Sequence, residues 1–355
     1  MSSFEAIFDK LQKGLKEDKF GSVHRAGDIN ISSTIPYGIL TGIPRLDLCI
    51  GRPGLPAGKV IEFYGKPCVG KTTAALHVIA QAQRAGGGAF FIDAENSWDE
   101  PRAIELGVDT NKNFFIGNAD SVEAIFRQLD IILKGRKEEG NFHEPCVVVV
   151  DSVTGKANEG ELEKDIGAAL RVGEDARVIR GCMRRVVSDI AKTKTVVIFV
   201  NHAISKIGAG PYQKKTDSSG GYAIKFYASL RCEFASSGQM MTGTKDDKRR
   251  EGQKVTIKIE KLKNSRLEVP DVKDIELMGT HGIDLYHELL EAGCIAGMIT
   301  RKNKLVYVYN DQEFHSGDWE GIVDNLGGQK EMYDNFIEWC LINNKMVGWG
   351  EKIYG

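Results

Sequence analysis

Residues Gly65–Thr72 read GKPCVGKT. The order of a glycine, four residues, a second glycine, a lysine and a threonine is the spacing of a loop that binds nucleotide phosphates. Gly65 and Gly70 allow a tight turn, so that successive N–H groups point at phosphate oxygens. Lys71 brings a positive charge to the β and γ phosphates, and the Thr72 hydroxyl is a ligand for Mg²⁺. We call Gly65–Thr72 the phosphate loop.

The segments on either side of the phosphate loop support this interpretation. Val60–Tyr64 reads VIEFY, a short apolar run that is typical of a buried strand. Thr73–Arg84 has the pattern of a helix with one apolar face. A helix that begins directly after the loop adds the positive end of its dipole to the anion site. The alternative, a chance match in a Gly-rich turn, explains neither neighbour.

Composition and charge limit the possible classes of protein. The chain has 355 residues, enough for one large domain with small appendages or for two domains. Its net charge of −2 means that any nucleic-acid site must be a local patch. The seven cysteines include no CxxC pair, which favours a reducing compartment and argues against zinc. No apolar run reaches membrane-spanning length, so we expect a cytoplasmic protein with no membrane partner.

An amphipathic helix is predicted near the start of the chain. Ser2 and Glu5 have the spacing of a capping box. Two hypotheses remain open for its apolar stripe, packing on the core of the same chain or docking on a neighbouring subunit. The stripe consists of Phe4, Ile7, Phe8, Leu11 and Leu15.

From Ile35 to about Met278 the pattern alternates between strand and helix, which predicts an α/β fold with a mostly parallel sheet. The candidate strands are Val60–Tyr64, Ala89–Asp93, Phe114–Gly117, Val147–Val150 and Val196–Val200. Ligands bind at the carboxyl edge of such sheets, so polar residues there are candidates for a site. Three strands are followed by such residues, namely Asp93-Ala94-Glu95, Asp151-Ser152 and Asn201-His202.

Each of these strand ends has a functional and a structural interpretation. Asp151 follows VVVV and is the expected acidic partner of the phosphate loop for Mg²⁺, although an Asp there can also cap a turn. Glu95 can polarise a water molecule toward the γ phosphate or can cap a helix. His202 can sense the γ phosphate by hydrogen bonding or can be structural.

Two polar, Gly-containing stretches follow the strand ends. Gly155–Gly167, loop A, reads GKANEGELEKDIG, and Ala203–Gly221, loop B, is basic with one aromatic residue, Tyr212. Long loops inside a compact domain are usually functional or disordered, and loop B suits a phosphodiester backbone. Between the loops, Arg177, Arg180 and Arg184 share one face of a predicted helix, which either faces DNA or is a solvated face.

Most of the chain resembles the RecA family of homologous-recombination ATPases, over roughly residues 1–295. The resemblance is carried by GKPCVGKTT at 65–73, FFIDAENSWD at 90–99, LGVD at 106–109, VVVVDSV at 147–153, IFVNH at 198–202, KIG at 206–208 and GGYAIKFYASLR at 220–231. His202 stands where bacterial members usually have glutamine, and in this respect the chain looks more like a bacteriophage recombinase. The family's adenine-packing tyrosines fall at Arg102 and Gly279 here.

The resemblance implies a function and a set of partners. It implies a DNA-dependent ATPase that uses ATP and Mg²⁺, forms a helical filament on single-stranded DNA and catalyses homologous pairing and strand exchange with double-stranded DNA. Single-strand-binding and mediator proteins are candidate partners, in the cytoplasm of a bacterium or of a bacteriophage-infected host. The alternatives are a ring-forming RecA-fold DNA helicase and a recombination mediator with weak ATPase activity.

The resemblance also implies roles for single residues. Glu95 matches the catalytic glutamate, and Lys261 and Lys263 match lysines that reach the γ phosphate bound by the neighbouring subunit. Ile207 matches an apolar wedge between base triplets, and the first helix matches the element that docks on the adjacent protomer. The implied catalytic set is Glu95, Lys71, His202, Lys261 and Lys263. The implied nucleotide set is Gly65, Lys66, Pro67, Cys68, Val69, Gly70, Lys71, Thr72, Thr73, Asp99 and Arg102, with Thr72 and Asp151 for the metal. The implied DNA set is Arg177, Lys206, Ile207, Gly208, Tyr212, Lys214, Lys215, Gly220 and Gly221.

The expected organisation has three parts. Residues 1–36 are expected to form the oligomerisation helix and a linker, and residues 37–278 the RecA-type ATPase core with a P-loop and both DNA-binding loops. Residues 279–355 are expected to form a small C-terminal α/β lobe that opens with Leu285, Leu289 and Leu290.

Overall fold

The computed structural model describes residues 3–18, 35–162, 174–205, 216–219, 222–243, 247–263 and 271–348. Within these ranges, a large mixed sheet forms the centre of the molecule, helices cover it, and a small antiparallel sheet lies near the C-terminus. The helices are α1 (Ser3–Asp18), α2 (Pro44–Ile50), α3 (Lys71–Arg84), α4 (Glu100–Glu105), α5 (Val122–Glu139), α6 (Glu159–Leu162), α7 (Glu174–Thr193), α8 (Tyr222–Tyr227), α9 (Leu285–Ala296), α10 (Trp319–Asn325) and α11 (Gln329–Ile342). The strands are β1 (Gly38–Ile39), β2 (Leu55–Pro56), β3 (Val60–Gly65), β4 (Gly88–Asp93), β5 (Phe114–Asn118), β6 (Cys146–Asp151), β7 (Val196–Ser205), β8 (Thr216–Ser218), β9 (Leu230–Thr242), β10 (Arg249–Leu262), β11 (Val272–Met278), β12 (Gly282–Ile283), β13 (Thr300–Arg301), β14 (Val306–Tyr309) and β15 (Gln312–His315).

The central sheet has the predicted α/β character. Its order is β12-β11-β10-β9-β3-β7-β6-β4-β5, and the strands from β9 to β5 along this path pair in parallel. All five candidate strands are confirmed, four of them with differences of one or two residues at their ends. The fifth, predicted at Val196–Val200, continues to Ser205, because β8 pairs with its additional residues. Because β3, β4, β6 and β7 are parallel neighbours, their carboxyl ends meet at one edge, where Asp93 pairs with Asp151 and Gly65 with His202.

An antiparallel extension widens the parallel sheet on one side. β9, β10, β11 and β12 pair in antiparallel fashion, and β10 has a core-facing side formed by Val255, Ile257 and the partly buried Ile259. Apolar residues at every second position are typical of a strand with one buried face. The extension brings β10 and β11 beside the phosphate loop, which strand patterning alone does not show.

Two layers of helices enclose the sheet. α3 lies on one face with Ala75 and Ile79 buried, and α5 and α7 pack on the other face. The exposure of α1 differs from that of these core helices, because Ile7 and Leu11 of its apolar stripe are about half exposed, at 54% and 48%. The expected capping residue, Ser2, lies outside the described residues.

The C-terminal lobe has its own apolar core. Leu289 and Leu290 of α9 are buried there with Trp319 and Phe336. The expected boundary at 278/279 falls between β11 and β12, and β12 pairs with β11 and so completes the central sheet before α9 begins.

Two buried polar contacts join the lobe to α2. Arg45 on α2 forms a salt bridge with Glu288 on α9. Asp47, also on α2, accepts a hydrogen bond from the Tyr333 hydroxyl on α11. Both contacts are made by α2, which therefore packs against the lobe.

Candidate functional site

The phosphate loop requires glycine at both of its glycine positions. Gly65 ends β3, and a Cβ atom there would lie 2.3 Å from the Phe234 carbonyl oxygen. Gly70 has a φ of 86°, in the left-handed region, immediately before α3 begins at Lys71. Cys68 has a φ of 59°, a backbone angle that residues other than glycine seldom adopt. The loop therefore has a tightly turned backbone, as the sequence predicted.

The Lys71 side chain folds back over the loop. It is 6% exposed, and its Nζ atom donates a hydrogen bond to the Lys66 carbonyl at 2.7 Å. Burial lowers the pKa of Lys71, while the negative charges of Asp151 and Glu95 act in the opposite direction. The ammonium group is thus held within the loop, where an anion would meet it.

Thr72 and Asp151 form a pair of oxygen ligands. The Thr72 hydroxyl donates to Asp151 Oδ2 at 2.6 Å. Burial raises the pKa of Asp151 to about 6, and the hydrogen bond from Thr72 opposes that shift. Across the described ranges, no cluster of three or more His, Cys, Asp or Glu residues could hold a metal ion. A hydroxyl beside one carboxylate fits Mg²⁺, which keeps waters and substrate phosphates as its other ligands.

Glu95 and Ser152, which follow β4 and β6, come together with His202, which lies inside β7 and not after it as expected. Glu95 Oε1 accepts a hydrogen bond from the Ser152 hydroxyl at 2.6 Å and lies 2.8 Å from His202 Nε2. Burial raises the pKa of Glu95, but these hydrogen bonds and the charge of Lys71 outweigh burial, so its pKa lies below the ordinary value. An ionised carboxylate at this edge can orient a water molecule or accept its proton.

The turn that carries Glu95 is fixed by its neighbours. The Asp93 carboxylate accepts hydrogen bonds from the main-chain N–H groups of Ser97 and Trp98, at 3.1 and 3.0 Å. The N–H group of Glu95 itself donates to the Asp151 carbonyl at 3.2 Å. Sequence reasoning noted Asp93 and Ser152 only as strand ends, because their contacts depend on strands that are distant in the chain.

A cavity of about 360 Å³ extends from the phosphate loop to Arg102 and Gly279. Arg102 donates to the carbonyls of Gly279, at 3.0 Å, and of Thr280, so its guanidinium group forms one wall. The side chain of Asp99 accepts a hydrogen bond from the Arg102 N–H at 3.1 Å and caps α4. The other lining segments are 68–73, 250–253 and 277–279. Of the predicted nucleotide residues, 68–73 and Arg102 line this cavity, whereas Gly65, Lys66, Pro67 and Asp99 do not.

The chain is similar to known proteins over most of its length. The family model of the RecA N-terminal domain matches residues 6–284 of this chain. Protein RecA from Bacteroides thetaiotaomicron is 31% identical over 322 residues, 89% of each chain. Protein RecA from Acidiphilium cryptum is 36% identical over 283 residues, 79% of this chain and 77% of the relative. Protein RecA from Francisella tularensis subsp. novicida is 31% identical over 348 residues, 97% of this chain and 91% of the relative.

This chain belongs to the RecA family. Membership confirms the resemblance of the quoted motifs and supports a recombinase and ATPase role in recombination and repair. Within the described parts of the chain, none of the helices is long and apolar enough to cross a membrane.

Of the two predicted DNA loops of this RecA-family chain, loop A is described from Gly155 to Leu162 and loop B only near its two ends. Loop A contains the short helix α6 and so is not structureless throughout. The described ends of loop B pair as strands, because β7 continues to Ser205 and β8 pairs with it in antiparallel fashion. The predicted DNA residues Lys206, Ile207, Gly208, Tyr212, Lys214, Lys215, Gly220 and Gly221 lie outside the described residues.

The arginine face predicted between the loops lies on α7. Arg177 is 81% exposed, and Arg180 and Arg184 are also exposed. Arg180 and Arg184 line a shallow surface cavity of about 220 Å³ together with Tyr222 and Phe226 of α8. The exposed guanidinium groups are therefore accessible to a polyanion such as DNA.

The base of loop B is hydrogen-bonded to the edge of the sheet that carries His202, a contact that the sequence did not predict. Ser219, at the described end of the loop, donates from its N–H to the His202 carbonyl at 2.9 Å. Its hydroxyl donates to Thr154, at the start of loop A, at 2.7 Å. Beneath this contact, the buried Arg231 binds Glu62 and also Ser218. Both loops are thus joined to the strand end that carries His202.

Lys261 and Lys263 lie at the carboxyl end of β10, whereas Gln253 near the start of that strand contacts the phosphate loop. Lys261 Nζ donates to the carbonyls of Lys225 and Phe226 in the last turn of α8. Lys263 is exposed and follows β10 directly. Neither lysine lines the 360 Å³ cavity.

Proposed function

We propose that this chain is a DNA-dependent ATPase that forms a helical filament on single-stranded DNA and catalyses homologous pairing and strand exchange. The observation that carries the proposal is the contact of Glu95 with His202, together with the bond from Ser219 to the His202 carbonyl. This chain of contacts joins the edge where a γ phosphate would lie to the base of loop B. Family membership supports the same activity.

The nucleotide roles follow from the chemistry of the edge. Glu95, whose pKa is lowered and whose carboxylate is therefore ionised at neutral pH like that of an ordinary glutamate, orients and deprotonates the attacking water. Lys71 holds the phosphates, and Thr72 and Asp151 hold Mg²⁺, which neutralises phosphate charge when it is bound. Arg102 forms the wall against which the base of ATP stacks, since a guanidinium plane binds an aromatic face.

DNA binding and its control involve the two loops and α7. Loop B contacts the DNA backbone through its lysines, Ile207 separates base triplets, and Arg177 makes a contact beside loop A. His202 responds to the γ phosphate, and a shift of its main chain reaches loop B through Ser219. Nucleotide state thereby controls the DNA-bound form.

The nucleotide site is completed by a second subunit. Lys261 and Lys263 of one protomer reach the γ phosphate bound by the next, and α1 docks on that neighbour through its apolar stripe, of which Ile7 and Leu11 are exposed. This role requires Lys261 to leave the carbonyls of α8, because its ammonium group donates to them in the isolated chain.

The first experiment combines imaging with turnover. We expect negative-stain images with single-stranded DNA and a non-hydrolysable ATP analogue to show helical filaments, and we expect ATP turnover to require DNA. Closed rings would favour a helicase-type motor instead. Filaments without significant turnover would favour a recombination mediator.

A mixing experiment tests the intersubunit site. A variant without Lys261 and Lys263 damages the neighbour's site, whereas Glu95→Gln damages its own. In an equal mixture about a quarter of random junctions pair an intact Glu95 with intact lysines, so DNA-dependent activity should partly recover. Light scattering first checks that the lysine variant assembles. Full activity of that variant alone would exclude the role across the interface.

A further inference from the structure

Gln253, near the start of β10, contacts the middle of the phosphate loop. Its side-chain Nε2 donates a hydrogen bond to the Cys68 carbonyl at 2.6 Å. Gln253 is only 8% exposed, and it is separated from Cys68 by 185 positions in the chain. The residue therefore makes a directional polar contact to the loop from a distant strand.

The contact falls on a backbone position with an unfavourable conformation. Cys68 has a φ of 59°, in the left-handed region that a residue with a Cβ seldom occupies. An anion-binding loop needs its N–H groups turned toward the anion, and a carbonyl turned inward would repel phosphate oxygens. Gln253 holds the Cys68 carbonyl toward β10, which favours the orientation that binds anions.

A second contact fixes the orientation of the Gln253 amide. Arg250 Nη2 donates to Gln253 Oε1 at 3.1 Å. The oxygen of the amide therefore faces a donor and its nitrogen faces the Cys68 carbonyl, and a flipped amide would lose both hydrogen bonds. Arg250 and Gln253 both line the 360 Å³ cavity beside the loop.

The rest of the antiparallel extension packs closely against the same loop. Gly65 lies against the Phe234 carbonyl of β9, and a Cβ at Gly70 would lie 2.7 Å from a methyl group of Leu277 on β11. These contacts limit the space at the two glycines. The Gln253 hydrogen bond acts between them, at Cys68, where the backbone would otherwise be free to rotate its carbonyl.

We propose that Gln253 is a positioning residue for nucleotide binding, which keeps the phosphate loop in its anion-binding form by holding the Cys68 carbonyl, with Arg250 bracing the amide. The inference rests on the proposed ATP site and extends it to a residue outside the phosphate-loop motif. Gln253 acts through the loop backbone, so its loss should weaken nucleotide binding and leave the chemical step unchanged.

The test uses Gln253→Glu, which has nearly the same shape but lacks the donor. Its carboxylate still accepts from Arg250 but faces the Cys68 carbonyl with an oxygen. The matched control is Gln239→Ala, because Gln239 is exposed and lies directly opposite Gln253 on β9. ADP affinity is measured by calorimetry without DNA, and kcat and KM for ATP are measured with saturating single-stranded DNA.

We expect Gln253→Glu to weaken ADP binding by about 10-fold or more and to raise KM in parallel, as for a lost hydrogen bond with an unsatisfied acceptor. We expect kcat to stay within about twofold of wild type, because Gln253 does not act on the transferred phosphate. Arg250→Ala, which leaves the Cys68 contact in place, should have a smaller effect of the same kind. The Gln239→Ala control should behave as wild type.

A second readout reports the loop itself. Cys68 is an exposed thiol, so its alkylation rate, measured by peptide mass spectrometry relative to Cys182, should change in Gln253→Glu and not in Gln239→Ala. Unchanged ADP affinity in a folded Gln253→Glu would overturn the proposal, as would an equal loss in the control. If this variant unfolds, Gln253→Met is judged by the same criteria. Absence of ADP and ATP binding in the wild type would instead overturn the proposed ATP site together with this inference.

Discussion

The ammonium group of Lys261 donates a hydrogen bond to the main-chain carbonyl of Phe226 at 2.9 Å, and a second to that of Lys225 at 2.8 Å. These carbonyls belong to the last turn of α8, and carbonyl groups there have no hydrogen-bond donor within the helix. A cation at this end of a helix is therefore stabilising. Because α8 follows loop B, the lysine proposed to reach the neighbouring nucleotide also contacts the helix next to the loop proposed to bind DNA.

Replacing Lys261 with methionine separates these two roles. Loss of the helix cap alone should reduce the free energy of unfolding by about 1 kcal/mol and leave turnover unchanged. Under the proposed intersubunit role, we expect DNA-dependent ATP turnover to fall by at least about 10-fold while ADP affinity stays unchanged. Lys258→Met, at an exposed position on the same strand, is the control. Wild-type turnover in Lys261→Met would leave the residue with a structural role only.

Glu95→Gln should abolish most turnover and keep both ATP and DNA binding. The amide can still accept a hydrogen bond from Ser152, but it cannot take a proton from water. Loss of a general base typically lowers the rate by about 10²–10⁴-fold. Single-turnover hydrolysis measures the effect, with Glu100→Gln as an exposed control on α4. Hydrolysis at the wild-type rate would remove Glu95 from its proposed role.

Alanine at Lys206, Lys214 and Lys215 should weaken DNA binding for every sequence. Each lysine that meets one phosphate of a single strand should contribute about 0.7 to the slope of log affinity against log salt. Fluorescence anisotropy over a range of salt concentrations measures that slope. The companion change Ile207→Gly should leave the slope unaltered and impair strand exchange. An identical slope and affinity in the triple variant would show that loop B does not hold DNA.

The buried carboxyl group of Asp47 should make stability depend on pH. Burial raises its pKa to about 7 from an ordinary 3.8, although hydrogen bonds from Tyr333 and Thr41 oppose the shift. The folded chain thus binds this proton more tightly than the unfolded chain. The resulting stabilisation is fully present below about pH 4 and is lost as the pH rises through about 7.

Asp47→Asn cannot ionise, so the difference in unfolding free energy between this variant and wild type should change between about pH 5 and pH 7, in favour of the variant. The change should not exceed about 1.4 kcal/mol per pH unit. Denaturant unfolding at several pH values measures it. Tyr333→Phe removes a hydrogen-bond donor that lowers the pKa of Asp47. In that control, the loss of stability with rising pH should therefore extend to higher pH. Parallel pH profiles for Asp47→Asn and wild type would contradict the prediction.

Much of the site was predictable because its parts are local in the sequence. The phosphate loop is eight consecutive residues, and Asp151 and His202 come after apolar runs that the alternating pattern predicts as parallel strands. Parallel strands align their carboxyl ends, so Glu95, Asp151 and His202 were expected at one edge. The structure adds that Glu95 and His202 lie 2.8 Å apart, a distance that depends on register and side-chain rotamers.

The sequence by itself determined the α/β core, the phosphate loop and the family, because these depend on short-range spacing and on apolar periodicity. Only the tertiary structure decided that Gln253 holds the Cys68 carbonyl, that Arg102 binds the carbonyl of Gly279, and that Lys261 caps α8. Each of these contacts joins residues that are distant in the chain. Their formation depends on how the antiparallel extension packs against the parallel sheet. That packing cannot be predicted from the spacing and periodicity of residues along the sequence.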